Sequence, residues 1–258
     1  MAACARACDC RNSGMDLTFI GSGDAFGSGG RFNTCFLVRG ANRRFLIDCG
    51  ATALVALKRA SVDLNTLDGV VLTHLHGDHF GGLPFLLLDA QLMSKRARPI
   101  FVWGPEGTEA RLAALREALF PGSSKAALKF AIEFAAHRPG ERRDGNGIAV
   151  TPYPAAHSAG APCFSVRTEC DGKIVAYSGD TAWTESLVDA ARGADLFICE
   201  CSSFERDLPG HLSWRTLAAR LPSIGAKRVV LTHMNPDMLA QAAQLGIETA
   251  ADGLTLTV

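Results

Sequence analysis

The segment THLHGDHFGG, Thr73 to Gly82, decides how this sequence folds and functions. It places three histidines and one aspartate within six residues, directly after the apolar run GVVL. These four side chains are His74, His76, Asp78 and His79. Polar groups at the carboxyl end of a buried strand lie where α/β folds usually build their sites. Imidazole and carboxylate suit a borderline cation such as zinc, and such close spacing lets one loop serve two adjacent ions.

Three further polar residues each follow a strand-like run. His157 follows VTPYP, Asp180 follows KIVAY, and His233 follows RVVL. Each residue taken alone has a simpler explanation, because His and Asp often cap turns. Taken together with the first cluster, they predict that one rim of a sheet layer gathers all of these groups.

The remainder of the chain alternates apolar strand-like runs with helical periods from residue 16 onward. Strands are predicted at 17–20, 34–38, 44–48, 70–74, 99–103, 148–153, 163–168, 173–178, 195–199, 228–233 and 254–258. Helices are predicted at 51–60, 82–93, 108–119, 185–191, 213–221 and 236–245, and 139–147 reads as a polar turn. Many strands mixed with helices predict a layered α/β domain.

Length and composition are compatible with one large soluble domain. The chain has 258 residues and balances 26 Lys and Arg against 26 Asp and Glu, so its net field does not attract nucleic acid or anionic membranes. No apolar run approaches the roughly 18 residues that a membrane helix needs. The nine cysteines come without a secretory signal, which predicts reduced thiols and a cytoplasmic location.

The first fourteen residues show neither helical nor strand periodicity. Cys4, Cys8 and Cys10 could serve as soft metal ligands, but a closed zinc site needs a fourth ligand. We therefore predict a disordered extension at residues 1–14 and a catalytic domain at residues 15–258.

HLHGDH at 74–79, followed by His157, Asp180 and His233, resembles the metallo-β-lactamase superfamily. This resemblance covers Met15 to Val258 and implies a four-layer αββα sandwich, with two mixed sheets flanked by helices and two metal ions at one edge. It implies that His74, His76 and His157 hold one ion, that Asp78, His79 and His233 hold the other, and that Asp180 bridges them. A histidine at position 76 favours zinc and hydrolysis over oxygen chemistry, with Mn²⁺ as the alternative ion.

Within the superfamily the sequence is most similar to the ribonuclease Z-like branch. MDLTFIGSGDAF at 15–26 resembles its opening strand and glycine loop, and CECSSF and GHLSW resemble segments that carry a functional glutamate and histidine, here Glu200 and His211. An imidazole oriented by a carboxylate can protonate a leaving alkoxide. A helix cap is the alternative role of His211.

The sequence also departs from that branch. Its tRNA-processing members insert a long arm between the positions matching His157 and Asp180, where this chain has only residues 158–179. That branch also has an early motif in which Pro and Lys precede an Arg and an Asn. The matching segment here, GSGGRFNT at 27–34, lacks the Pro and Lys and keeps only Arg31 and Asn33. We therefore predict that the hydrolytic chemistry is retained and that a large nucleic-acid substrate is disfavoured.

These observations predict a zinc-dependent hydrolase that cleaves a small phosphodiester or cyclic nucleotide through a hydroxide bridging two divalent metal ions, with Asp78, His211 and Glu200 in catalytic roles. The alternatives are lactone, thioester or β-lactam hydrolysis on the same metal core, tRNA 3′ processing, and a non-catalytic metal-binding protein. His211 favours the phosphodiester, because a leaving alkoxide needs an acid.

Three features outside this set also have predicted roles. The apolar segment at 81–92 is interpreted as core packing, with a homodimer surface as the alternative. Trp183 and Phe204 are candidates either for pocket lining or for the core. His137 is interpreted as a surface loop residue.

Overall fold

The structure is a computed structural model and describes residues 14–258. The predicted extension, with Cys4, Cys8 and Cys10, lies outside the described residues apart from Gly14. Its strands are β1 (Asp16–Gly21), β2 (Cys35–Arg39), β3 (Arg44–Ile47), β4 (Gly69–Val71), β5 (Ile100–Gly104), β6 (Ile132–Ala136), β7 (Arg143–Gly145), β8 (Ile148–Pro154), β9 (Phe164–Cys170), β10 (Lys173–Tyr177), β11 (Leu196–Glu200), β12 (Val229–Thr232), β13 (Glu248–Thr249) and β14 (Thr255–Thr257). Its helices are α1 (Ala53–Arg59), α2 (Gly77–Phe80), α3 (Leu83–Leu92), α4 (Thr108–Leu119), α5 (Ser186–Ala191), α6 (Trp214–Ile224) and α7 (Pro236–Gln241).

The strands form two seven-stranded mixed sheets. The first has the order β14-β1-β2-β3-β4-β5-β6, and the second β13-β12-β11-β10-β9-β8-β7. The β3, β4, β5 and β6 strands run parallel in the first sheet, as do β10, β11, β12 and β13 in the second. Each sheet therefore has a parallel half, where the carboxyl ends of several strands meet at one edge.

Side-chain alternation along the strands explains the four layers. In β2, Phe36 and Val38 face the core between the two sheets, whereas Cys35 and Leu37 face the helices that cover the first sheet. The same alternation in β11 sends Ile198 into the inter-sheet core and its neighbours into the second helical layer. Because side chains alternate with period two, strands apolar on both faces require a layer on each side. The predicted αββα sandwich is confirmed.

The helices that cover the sheets present buried apolar stripes. The first sheet is covered by α1, α3 and α4, and the second by α5, α6 and α7. Two of these helices begin with side-chain caps: Ser213 accepts a hydrogen bond from the backbone of Thr216, and Asn235 accepts one from the backbone of Met238. Such caps fix where a helix starts, here immediately after segments that carry site residues.

The structure adds elements that the sequence analysis did not predict. The region interpreted as a polar turn contains β7, which pairs antiparallel with β8. The short edge strands β6 and β13 and the single-turn helix α2 were also missed. No described helix is long and apolar enough to cross a membrane.

Candidate metal centre

The candidate metal ligands converge at the edge where the parallel strands of both sheets end. His74 and His76 follow β4, and Asp78 and His79 lie in α2 directly behind them. The second sheet contributes three residues in the same way, from the segments that follow β8, β10 and β12. These residues are His157, Asp180 and His233.

The seven side chains form two groups that share one residue. One group comprises His74, His76, His157 and Asp180, and the other comprises Asp78, His79, Asp180 and His233. Within each group, one ligand atom per residue lies within 4.8 Å of every other. Asp180 belongs to both groups, as expected of a bridging carboxylate. This division is the one implied by the superfamily resemblance.

Asp180 lies at the centre of the arrangement and is 2% exposed. Its Oδ2 lies 3.8 Å from Nε2 of His74 and 3.4 Å from Nε2 of His233. Its Oδ1 lies 3.2 Å from Nε2 of His79. Between them, the two oxygens are thus approached by imidazole nitrogens from both groups.

Several ligand atoms are buried without a hydrogen-bond partner within the described chain. They include Nε2 of His74, Nε2 of His79 and Oδ1 of Asp180. A buried polar atom without a partner costs about 1–3 kcal/mol, so it rarely persists without a ligand. The aromatic nitrogens and carboxylates present here are the donors that zinc prefers. The two groups therefore fit a dinuclear divalent metal site.

The ionisation of His74 and Asp180 suits metal binding. At His79 and His233 the surrounding carboxylates outweigh burial and raise the pKa of both imidazoles, so a cation would have to displace their protons. Burial lowers the pKa of His74 well below its usual value, and the neighbouring His79 lowers that pKa further. Burial raises the pKa of Asp180, but His233 and His79 outweigh it and hold that pKa well below the usual range. A neutral imidazole and an ionised carboxylate are the forms that coordinate a cation.

A backbone carbonyl fixes the orientation of His157. Its Nδ1 donates to the carbonyl oxygen of Gly210 over 2.9 Å, which leaves Nε2 for the ligand position. Gly210 has a positive φ of 75°. A Cβ at this position would lie 2.7 Å from Nδ1 of His157, so only glycine allows the contact without displacing the imidazole.

Asp48 is a functional residue that the sequence analysis missed, because it was interpreted as the last residue of a strand. Its Oδ2 accepts hydrogen bonds from Nδ1 of His79 over 2.6 Å and from the hydroxyl of Thr73 over 2.8 Å. The Thr73 hydroxyl in turn lies 3.0 Å from Nδ1 of His74. One buried carboxylate thereby orients a ligand in each group. The signal was present in RFLID, where a charged residue ends an apolar strand.

The predicted pair of Glu200 and His211 lies beside the two groups. Glu200 is fully buried at the end of β11, and its Oε1 lies 3.2 Å from Nδ1 of His211. The His211 ring lies 4.9 Å from that of His157 and stacks 5.7 Å from that of His233. Burial lowers the pKa of His211, but the hydrogen bond and charge of Glu200 outweigh it and raise that pKa.

The structure also places the three remaining residues with predictions from the sequence: His137, Trp183 and Phe204. His137 is not a surface residue: it is 8% exposed, and its Nε2 donates to the carbonyl oxygen of Leu72 over 3.0 Å. Pairing of β6 with β5 carries it into the molecule, a cause that the local sequence does not reveal. Trp183 and Phe204 are half-buried against the core of the second helical layer.

Comparison with known proteins identifies the family of this chain. The family model described as anti-Pycsar protein Apyc1 matches residues 15–252. The chain belongs to this family. Its curated relatives include ribonuclease Z of Mycobacterium marinum, 28% identical over 246 residues that span 88% of each chain. Ribonuclease Z of Methanosarcina acetivorans is 24% identical over 86% of this chain and 88% of its own.

Two solved structures are similar in fold to this chain. The short form of human tRNase Z matches 93% of this chain and 98% of its own with a TM-score of 0.76 and 24% identity. The metallo-β-lactamase-fold protein YhfI of Bacillus subtilis covers 95% of this chain and 100% of its own, with a TM-score of 0.74 and 22% identity. The resemblance to ribonuclease Z-like hydrolases of the metallo-β-lactamase superfamily is confirmed.

The predicted absence of a tRNA-binding arm matches the structure. Residues 158–179 hold only the strand pair β9 and β10, joined at Asp171 and Gly172. Both turn residues adopt positive φ, 51° and 74°. The chain therefore passes from one candidate ligand to the next through a tight hairpin.

Proposed function

We propose that this protein is a zinc-dependent phosphodiesterase acting on a small phosphodiester or cyclic nucleotide. The observation that carries the proposal is the Glu200–His211 pair, which lies beside both candidate ligand groups. Two bound divalent cations would lower the pKa of a water molecule and clamp the phosphoryl oxygens. His74, His76 and His157 would hold one cation, Asp78, His79 and His233 the other, and Asp180 both.

His211 has the properties required of the acid in this reaction. Its Nδ1 faces Glu200, and the side chain keeps 22% exposure, so its Nε2 is available to a substrate. The hydrogen bond and charge of Glu200 outweigh burial and raise the pKa of His211, which favours the protonated imidazole that an acid must be. The Nε2 proton can then pass to the oxygen that leaves phosphorus, and solvent can restore it afterwards.

Glu200 is a positioning residue in this scheme. Its Oε1 also accepts a hydrogen bond from the backbone N–H of Thr181 over 2.6 Å, next to the bridging position Asp180. This bond anchors the carboxylate, which in turn orients His211. Asp78, whose Oδ2 lies 3.3 Å from Nε2 of His233, would orient the attacking water.

The experiment combines metal analysis of the purified protein with parallel assays on a cyclic nucleotide panel, bis(p-nitrophenyl) phosphate, a lactone and a thioester. We expect about two zinc ions per chain and turnover of the phosphodiesters. Asp180→Asn should abolish that turnover while the protein remains folded by circular dichroism. Turnover confined to the lactone or thioester, or a metal-loaded protein inactive on every substrate, would refute the proposal.

A second candidate, tRNA 3′ processing, is favoured by the ribonuclease Z name of the relatives. Two features disfavour it: the short hairpin at residues 158–179 stands where tRNA-processing relatives insert their arm, and the balanced net charge does not attract nucleic acid. Adding a precursor tRNA to the same assay panel tests it directly. Cleavage of the precursor at a rate above that of the small diesters would favour this candidate.

A further inference from the structure

The loop between β1 and β2, residues 22–34, begins and ends against the candidate metal ligands. At its start, the carbonyl oxygen of Ser22 accepts hydrogen bonds from the backbone N–H of His233 and the hydroxyl of Thr232, each over 3.2 Å. Near its end, the loop residue Asn33 packs against Gly50, which on its other side contacts the candidate ligand Asp78. A Cβ at Gly50 would lie 2.5 Å from Cβ of Asn33 and 2.1 Å from the carbonyl oxygen of Asp78. Between these ends, a Cβ at Gly29 would lie 3.1 Å from Cδ1 of Leu239 in α7, the helix that follows His233. Both ends and the middle of the loop therefore lie beside segments that carry candidate metal ligands.

Buried hydrogen bonds hold this loop in one conformation. Asp24 is 3% exposed, and its Oδ1 accepts from the backbone N–H groups of Phe26 and Ser28 over 3.1 and 2.9 Å. Its Oδ2 accepts from the Ser28 hydroxyl over 2.6 Å. The Asn33 amide donates to the backbone oxygen of Asp24 over 2.9 Å. A loop held by so many bonds presents its exposed residues in a fixed place.

The side chain presented by this loop is Phe26, which is 90% exposed. It is the most exposed large hydrophobic residue in the described chain, ahead of Met93 at 72% and Leu92 at 60%. An aromatic ring is the group that loses most by remaining in water. A preorganised loop that holds such a ring in solvent beside a reaction centre is typical of a ligand contact.

We infer that Phe26 is the residue on which the base of a nucleotide substrate stacks at this site. This inference rests on the proposed phosphodiesterase function. Every nucleobase has a π face, and stacking on an aromatic side chain contributes binding without reading base identity. Phe26 would therefore hold the base while the metal centre takes the phosphate.

The test compares a cyclic nucleotide with the same ribose cyclic phosphate lacking the base. For Phe26→Ala we expect KM for the cyclic nucleotide to rise about ten-fold with kcat nearly unchanged. Phe26→Trp should restore the wild-type KM, whereas Phe26→Leu, which keeps apolar bulk without a ring, should not. The abasic substrate should show no dependence on residue 26. Leu92→Ala, another exposed apolar truncation, is the matched control and should leave both substrates unaffected.

The outcomes separate this inference from the function on which it rests. A wild-type protein that cleaves no diester overturns the proposed function and the inference with it. A wild-type protein that cleaves the nucleotide, with Phe26→Ala indistinguishable from it or equally impaired on the abasic substrate, overturns the role of Phe26 alone. A Phe26→Ala protein that changes oligomeric state with unaltered KM would assign the ring to a contact between copies and would also overturn the inference.

Discussion

His79 donates a hydrogen bond from Nδ1 to Oδ2 of Asp48 over 2.6 Å, and neither side chain is exposed to solvent. The same carboxylate reaches His74 through the hydroxyl of Thr73. Both candidate ligand groups therefore depend on one residue that belongs to neither group. Such partners fix the ring orientation of a ligating histidine and raise its basicity.

Asp48→Asn should weaken metal binding while leaving the fold intact. Asparagine has one acceptor oxygen and no charge, so it cannot serve both Thr73 and His79 as the carboxylate does. We expect metal affinity to fall about 10- to 100-fold, measured by chelator competition. Asp89→Asn is the control: Asp89 is also buried, but its carboxylate contacts Lys58 and Ser94 and none of the candidate ligands, so this variant should leave affinity unchanged. Equal affinities in the two variants would contradict the role of Asp48.

His211→Ala should slow catalysis in a way that depends on the leaving group. For an alkoxide leaving group we expect kcat to fall about 10²- to 10⁴-fold, because the alkoxide then leaves without its acid. With p-nitrophenolate, which leaves without protonation, the loss should be small. Metal content, measured alongside, should match that of the wild type. An equal loss on both substrates would indicate that His211 acts on the metal centre and not as an acid.

Gly210→Ala should disturb the metal group that contains His157. The added Cβ would lie 2.7 Å from Nδ1 of that histidine. Gly193→Ala is a matched control, since Gly193 has a similar φ of 64° but no atom within 4 Å of an added Cβ. Both variants should lose about 1–3 kcal/mol of stability from the left-handed backbone, but only Gly210→Ala should lose metal occupancy. Full metal occupancy in both variants would contradict the proposed role of Gly210 in orienting His157.

His137 should make the protein less stable as the pH falls from 6.5 towards 4. Burial lowers the pKa of His137 to about 4, so the unfolded chain binds a proton in this range that the folded protein does not. The unfolded state is therefore favoured by up to about 1.4 kcal/mol per pH unit, about 3 kcal/mol in all. Urea unfolding of wild type and His137→Phe at pH 7, 6, 5 and 4 measures the difference. Groups common to both proteins cancel, and parallel curves would contradict the prediction.

The site could be predicted more completely than the elements around it. His and Asp after apolar strands carry their own chemical signal, and the superfamily resemblance is enough to group them. The edge strands β6 and β7 carry little such signal, because the side chains of IEFAA are at most partly buried and those of RDG are mostly exposed, and both segments become strands only by pairing with β5 and β8. Edge strands depend on their partners more than on intrinsic propensity.

The amino-acid sequence by itself determined the alternating apolar strands, the layered fold and the identity of the seven candidate ligands, because each depends on local periodicity or on residue chemistry. Only the tertiary structure decided that Asp48 contacts residues of both ligand groups, that His137 is buried, and that Phe26 projects into solvent from a loop held by buried hydrogen bonds. These properties arise from contacts between segments distant in the chain. Such contacts exist only once the two sheets have packed and brought their strand ends to one edge.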